Sequence, residues 1–151
     1  MKISDILLKS SIVPNLTVES KKQVLEKLSE IASPSVGIDQ STILDALIER
    51  ERLGTTGVGH GVALPHTRLI GLDKIFCAFV KTNPIDFESV DGKLIDLVFV
   101  LLVPEEAGAD HLKALSRLSR LLRDEEIANQ LRKENDIDAL YNIIIQHDIE
   151  D

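Results

Sequence analysis

Apolar residues recur at helical spacing across residues 20–32, where Val24, Leu25, Leu28, Ile31 and Ala32 share one face. Ser20 and Gln23 form a capping-box pattern at the start of this segment, and Pro34 and Gly37 are expected to break it. Asp39 suits the N-cap of a second helix carrying Ile43, Leu44, Leu47 and Ile48 on one face. That helix should run out near Arg52 or Leu53, just before Gly54. The pattern then changes period. Residues 62–64 are short and β-prone, residues 75–81 read as an apolar strand, and residues 94–103 read as a longer one. Residues 97–103 carry no polar alternation, so this strand should be buried on both faces. Asp91-Gly92 before it is a turn signal, and Pro104 ends it. Gly108 and Asp110 precede a helix from about His111 to Arg123. Two shorter helical patterns follow over residues 125–132 and 136–146, and the acidic end from Asp148 reads as frayed.

Helices thus flank a small group of strands. The expected fold class is α/β: an α/β/α sandwich with a small mixed sheet covered by helices on both faces. A chain of 151 residues, without internal repeat or Pro/Gly/Ser-rich linker, reads as a single domain over 1–151. Hydrophobic content of 44% supports a real core, but aromatics are only 3%, so Leu, Ile and Val must fill it. The formal net charge of −8 argues against nucleic acid or an anionic membrane as the main partner, because both require cationic surface. It is compatible with docking onto a basic patch of another protein. The single cysteine, Cys77, excludes an internal disulfide and fits a reducing compartment; its apolar strand should keep it buried and inert. Asp5 interrupts any signal-peptide core, and the longest apolar run, residues 97–103, falls far short of the ~20 residues of a membrane helix. A soluble, cytoplasmic protein without membrane insertion is expected.

The chemistry concentrates in residues 50–68, Arg-Glu-Arg-Leu-Gly-Thr-Thr-Gly-Val-Gly-His-Gly-Val-Ala-Leu-Pro-His-Thr-Arg. A glycine-rich loop leaves room for a bulky group and offers backbone N–H donors to an anion. The nucleotide motifs do not fit. Gly54 and Gly59 have Walker spacing, but His60 and Gly61 stand where Lys and Ser/Thr are required. The dinucleotide pattern lacks its third glycine, and the loop follows a helix where both motifs need a strand. His66 stands directly after Pro65, which fixes its own φ and biases Leu64 towards extended geometry, so the histidine should sit on a stiff strand end. Neutral imidazole offers one lone pair to phosphorus, and a backbone carbonyl would hold the other nitrogen's proton. Taken alone, His66 would read as an ordinary loop histidine; its surroundings argue for a phosphoryl acceptor.

These residues resemble the active-site signature of the phosphotransferase-system enzyme IIA proteins of the fructose/mannitol type. Arg-Glu-Arg-Leu-Gly and Gly-Val-Ala-Leu-Pro-His most resemble the stand-alone nitrogen-regulatory branch. The resemblance implies the same α/β architecture and a phosphohistidine at His66, formed by attack through Nε2. It implies a second active-site histidine at His111, in Asp110-His111-Leu112, and a phosphate-steadying role for Arg50, whose guanidinium presents a planar fork of donors. The phosphoryl donor would be a small HPr-like carrier (NPr in the nitrogen branch), charged from phosphoenolpyruvate through an enzyme I paralogue. No metal or organic cofactor is implied. Phosphorylation state would control binding to other proteins, including potassium-transport regulators. Two alternatives stand beside this reading: a sugar-specific IIA passing phosphate to a IIB cysteine for fructose or mannitol uptake, and a binding module that never carries phosphate. The absence of fused IIB or IIC segments favours regulation.

His111 shares a helical face with Leu115, Leu118 and Leu122, and a helix N-terminus would disfavour its imidazolium form. Arg52 and Arg68 are weaker phosphate candidates, and Glu51 should pair with a neighbouring base. His60 departs from the nitrogen-regulatory pattern, where Asn is frequent, and is read as non-catalytic. His147 is expected to be solvated, as are Arg117, Arg120 and Arg123 along the later helix. One cysteine and scattered histidines give no zinc-ligand pair.

Overall fold

A computed structural model describes residues 1–148. In chain order it comprises a 3-10 turn at Ile3–Asp5, β1 (Leu7–Leu16), α1 (Lys21–Val36), α2 (Gln40–Arg52), β2 (Gly57–Gly59), β3 (Val62–Ala63), β4 (His66–Leu69), β5 (Phe76–Ile85), β6 (Ile95–Pro104), α3 (Ala109–Leu122), α4 (Glu125–Lys133) and α5 (Ile137–Gln146). The strands form one mixed sheet in the order β1-β5-β6-β3-β2, with β4 also on β6. β5 and β6 are antiparallel, while β1 lies parallel to β5, and β3 and β4 lie parallel to β6.

β6 is the axis of the molecule. Each residue from Leu97 to Val103 is fully buried, because successive side chains enter opposite layers. Leu97, Phe99, Leu101 and Val103 pack with α3, α4 and α5, whereas Val98, Val100 and Leu102 pack with α1 and α2. Phe79 and Phe99 stack with centroids 4.5 Å apart inside the first layer. The α/β/α reading and the doubly buried strand both hold. Cys77 is buried in β5, and burial pushes its thiol far above the ordinary range.

Several boundaries differ from expectation. Pro34 does not break α1; the helix continues to Val36 and ends at Gly37, whose left-handed φ of 69° lets its N–H reach Ser33 O. The missing proline N–H would have bonded the carbonyl of Glu30, on an exposed turn where water can replace it. Asp39 does occupy the N-cap of α2, but its side chain makes no capping bond. α3 begins at Ala109, so Asp110 lies within its first turn. β1 has no counterpart in the sequence reading, since Lys9, Ser10, Ser11 and Pro14 disturb its alternation.

The chain beyond α5 is not frayed at Asp148. Its carboxylate, 5% exposed, accepts the Ile3 N–H at 2.7 Å and pairs with Arg117 Nε at 2.9 Å. Arg117 therefore faces inward and not along a solvated stripe, while Arg123 is exposed as expected. His147 is half-buried, with Nδ1 2.8 Å from Ile143 O, and so is only partly solvated. The rest of the acidic end, residues 149–151, lies outside the described residues. Lys81, an 8% exposed lysine in β5, donates to Arg132 O at 2.9 Å, to Glu134 O and to Asn135 Oδ1 at 3.3 Å, closing the C-terminus of α4. Among the described residues, no helix is long and apolar enough to cross a membrane.

Candidate active site

The last turn of α2 sends consecutive residues to different tasks. Glu51 is nearly buried, pairs with Lys21 at 3.0 Å, and accepts from Thr56 N at 2.7 Å and Thr56 Oγ1 at 2.6 Å. It pairs with a base, as expected, and also pins the loop after α2. Arg50 turns the other way, and its Nη1 donates to Gly54 O at 2.9 Å.

The glycine-rich stretch is not an anion cradle beside His66. It forms the β2–β3 hairpin, with His60 and Gly61 at the tip in left-handed backbone, φ 56° and 80°. The tip faces α4 instead. His60 N–H donates to Asp91 Oδ2 at 3.0 Å, its Nδ1 lies 2.9 Å from Glu125 Oε1, and its carbonyl accepts from Arg132 Nη2 at 2.6 Å. A side chain at Gly61 would collide with the guanidinium of Arg132, which itself pairs with Asp96. This glycine is required for close packing, not for a ligand.

β3 and β4 lie along β6 in the same register, Val62 opposite Leu97 and His66 opposite Leu101. They are one line of chain interrupted at Leu64-Pro65, where proline has no N–H to offer. The Pro65 carbonyl still accepts from Leu101 N at 2.9 Å, so the backbone before His66 stays fixed to the core strand. This freezes the geometry of the ring: His66 Nδ1 lies 2.8 Å from Leu64 O. A carbonyl only accepts, so Nδ1 carries the proton and Nε2 keeps its lone pair. Burial pushes the His66 pKa below its ordinary value, the Leu64 bond opposes this, Arg50 lowers it further and Glu51 opposes. The imidazole is therefore neutral at pH 7.

The first turn of α3 brings His111 to His66, with ring centroids 6.1 Å apart and planes at 45°. Burial, then the charge of Arg68, then His66 lower its pKa as well. His111 Nδ1 is buried with no hydrogen-bond partner among the described residues. A buried orphan N–H is rarely tolerated, so the proton belongs on Nε2. Arg50, His66, Thr67, Arg68 and His111 together line a recess of about 430 Å³, with Ala46, Glu49 and the exposed Leu53 completing its wall. Arg68 is further held by Glu105 O at 2.7 Å. The carboxylate in the wall, Glu49, is paired with Arg52 at 2.9 Å, so Arg52 shields the recess from outside it.

His66, His111 and Arg50 thus converge from three distant segments, and Arg68 joins them more closely than the sequence reading gave it credit for. Thr67 was missed, although strand continuation after His66 would have placed it nearby. Among the described residues, no group of His, Cys, Asp or Glu could hold a metal ion. The recess offers a neutral nucleophile beside two guanidinium groups and an imidazole N–H, a setting for charge transfer onto nitrogen with stabilisation of an anion.

Residues 5–147 match the family described as the phosphoenolpyruvate-dependent sugar phosphotransferase system, EIIA 2. The chain is 50% identical over 145 residues to a nitrogen regulatory protein of Bradyrhizobium diazoefficiens, covering 95% of each. It is also 36% identical to the fructose-specific EIIABC component of Bacillus subtilis, over 98% of this chain and 24% of that protein. Its fold matches the crystal structure of the nitrogen regulatory protein IIA-Ntr from Neisseria meningitidis with a TM-score of 0.91 and 35% identity, covering 94% of this chain and 98% of that one.

Proposed function

We propose, for a chain that belongs to the EIIA 2 family of the phosphoenolpyruvate-dependent sugar phosphotransferase system, the role of a nitrogen-regulatory phosphocarrier. The carrying observation is the bond between His66 Nδ1 and Leu64 O, which leaves Nε2 as the nucleophile in a cationic recess. The phosphoryl donor is the phosphohistidine of an HPr-like carrier (NPr), itself charged through an enzyme I paralogue. His66 Nε2 gives its lone pair to phosphorus as the donor's N–P bond breaks, and that electron pair returns to the donor imidazole. No proton needs to move. Positive charge developing on the His66 ring is steadied through Nδ1–H and Leu64 O, while the equatorial oxygens receive Arg50 and His111 Nε2–H. Neither metal nor organic cofactor takes part.

The phosphate adds about −1.5 to −2 charge to the recess, enough to change which proteins dock there. Partner proteins in the cytoplasm, potassium-transport regulators among them, would read that state. This regulatory reading rests on the full-length similarity to the Bradyrhizobium protein. A second reading, a sugar-specific IIA handing phosphate to a IIB cysteine, is favoured by the similarity to the fructose-specific component.

The test is phosphoryl transfer from phosphoenolpyruvate with enzyme I and HPr-type proteins of both branches, followed by intact mass. Wild type is expected to gain one acid-labile phosphate and His66→Ala none. Labelling that survives in His66→Ala removes His66 as the acceptor, and no labelling of wild type from either carrier supports a binding module. Rapid loss of the phosphate to a fructose IIB would establish the sugar-transport reading.

A further inference from the structure

A cleft of about 850 Å³ opens between α1 and the end of α2, on the far side of the Arg50–Arg52 turn from His66. Leu25 and Ile48 supply its apolar wall, Lys21 and Lys22 supply cationic groups, and Glu51, Glu88 and Arg52, which is already paired with Glu49, complete the charged lining. The volume suits a small organic molecule. Lys21 is the central group. Its side chain is 19% exposed, its ammonium lies 4.9 Å from the centroid of Phe87, and it is anchored from inside by Glu51 at 3.0 Å.

The outer side of the same ammonium is held differently. Glu88 approaches it at 3.6 Å from a side chain that is 78% exposed. Glu88 also has a left-handed φ of 55°, a conformation that costs a non-glycine residue energy. An exposed, loose carboxylate on a strained backbone is a weak partner for a mostly buried cation. The first turn of α1, which carries Lys21 and Lys22, adds the partial positive charge of a helix N-terminus.

We propose that this cleft binds a small organic carboxylate, with Glu88 as its internal stand-in. The ligand's carboxylate displaces Glu88 from Lys21, and its carbon skeleton lies on Leu25 and Ile48. Binding here needs no phosphate on His66, so the site stands or falls separately from the phosphocarrier role. Its position gives it a lever all the same: Lys21 holds Glu51, and Glu51 holds Thr56 in the loop that begins beside Arg50.

The test titrates the full ¹⁵N-labelled chain with succinate at constant ionic strength and follows amide shifts, with chloride and inorganic phosphate as comparison ions. Succinate should shift Lys21, Lys22, Thr55 and Glu88 saturably, and Lys21→Met should abolish the effect. Glu88→Gly, which relieves the backbone and removes the competitor without touching Lys21, should tighten binding about two- to fivefold, the span of one exposed ion pair. Absence of saturable shifts in both wild type and Glu88→Gly overturns the proposal. Unchanged or weaker binding in Glu88→Gly does the same for the stand-in, and equal binding of phosphate or chloride does so for the carboxylate preference.

Discussion

Glu51→Ala tests how the candidate active site is built. The carboxylate is 6% exposed, and three donors converge on it: the Thr56 N–H, the Thr56 hydroxyl and the Lys21 ammonium. Thr56 is itself 3% exposed, so its amide cannot turn to water when the acceptor disappears. Hydrogen bonds to a charged group contribute about 1.5–3 kcal/mol each, and breaking one side of a buried pair costs about 3–5 kcal/mol. The terms overlap, because Lys21 retains Glu88 as a fallback. The expected loss is about 3–5 kcal/mol, a large part of the stability of a chain this size. Urea unfolding followed by circular dichroism should show the midpoint falling by about 1–3 M. Glu51→Gln keeps an oxygen for the Thr56 amide and loses the ion pair, so it should cost less than half as much. A loss below about 1 kcal/mol for Glu51→Ala would refute the idea that this carboxylate pins the loop.

Arg50→Lys should slow phosphoryl acceptance by His66 about 10²-fold while leaving the urea midpoint near wild type, since the planar fork is lost at a half-buried position where an ammonium can still donate to Gly54 O; quench-flow labelling and denaturation separate the two effects. His66 and His111 both have folded pKa values below their ordinary 6.5, so between those values the unfolded chain binds more protons than the folded one. Stability contributed by keeping them neutral is complete above pH 6.5 and is lost as pH falls through the folded values; a double His66→Gln, His111→Gln variant should lose less stability than wild type on acidification from pH 7. Lys81→Met should destabilise by about 1–3 kcal/mol by stranding the Arg132 and Glu134 carbonyls, and hydrogen exchange should speed up first in the last turn of α4.

The layered fold was legible because its strongest signal is physical and local: residues 97–103 have no polar side chain to turn towards water, so helices must cover both faces. β1 was not legible, because its polar residues break the alternation and its pairing to β5 is set by distant chain. Pro34 misled for a related reason: it sits in the last turn of α1, where little helix remains to be lost and water can take the freed Glu30 carbonyl, and sequence alone does not say which side faces solvent. His66, His111 and Arg50 could each be singled out, but their convergence depends on where α2, β4 and α3 meet. The glycines pointed to a ligand, whereas Gly61 answers to the bulk of Arg132 seventy-odd residues away, a contact invisible in a linear pattern. Arg117 was read as solvated for the same reason, since its partner Asp148 lies 31 residues further on, beyond two more helices.

The parallel pairing of β1 with β5 has a consequence for how the molecule comes into being. Leu7 lies opposite Cys77 and Ile12 opposite Phe79, so β1 has no sheet to join until β5 has followed it. Until then α1 and α2 can form only local structure, with their apolar faces unmatched. Closing such long loops before any contact rewards them slows folding. The recess around His66 likewise depends on later chain: it needs β6 in place to fix the histidine and α3 to deliver its neighbour. A chain cut before α3 therefore carries His66 without the second imidazole that completes its surroundings.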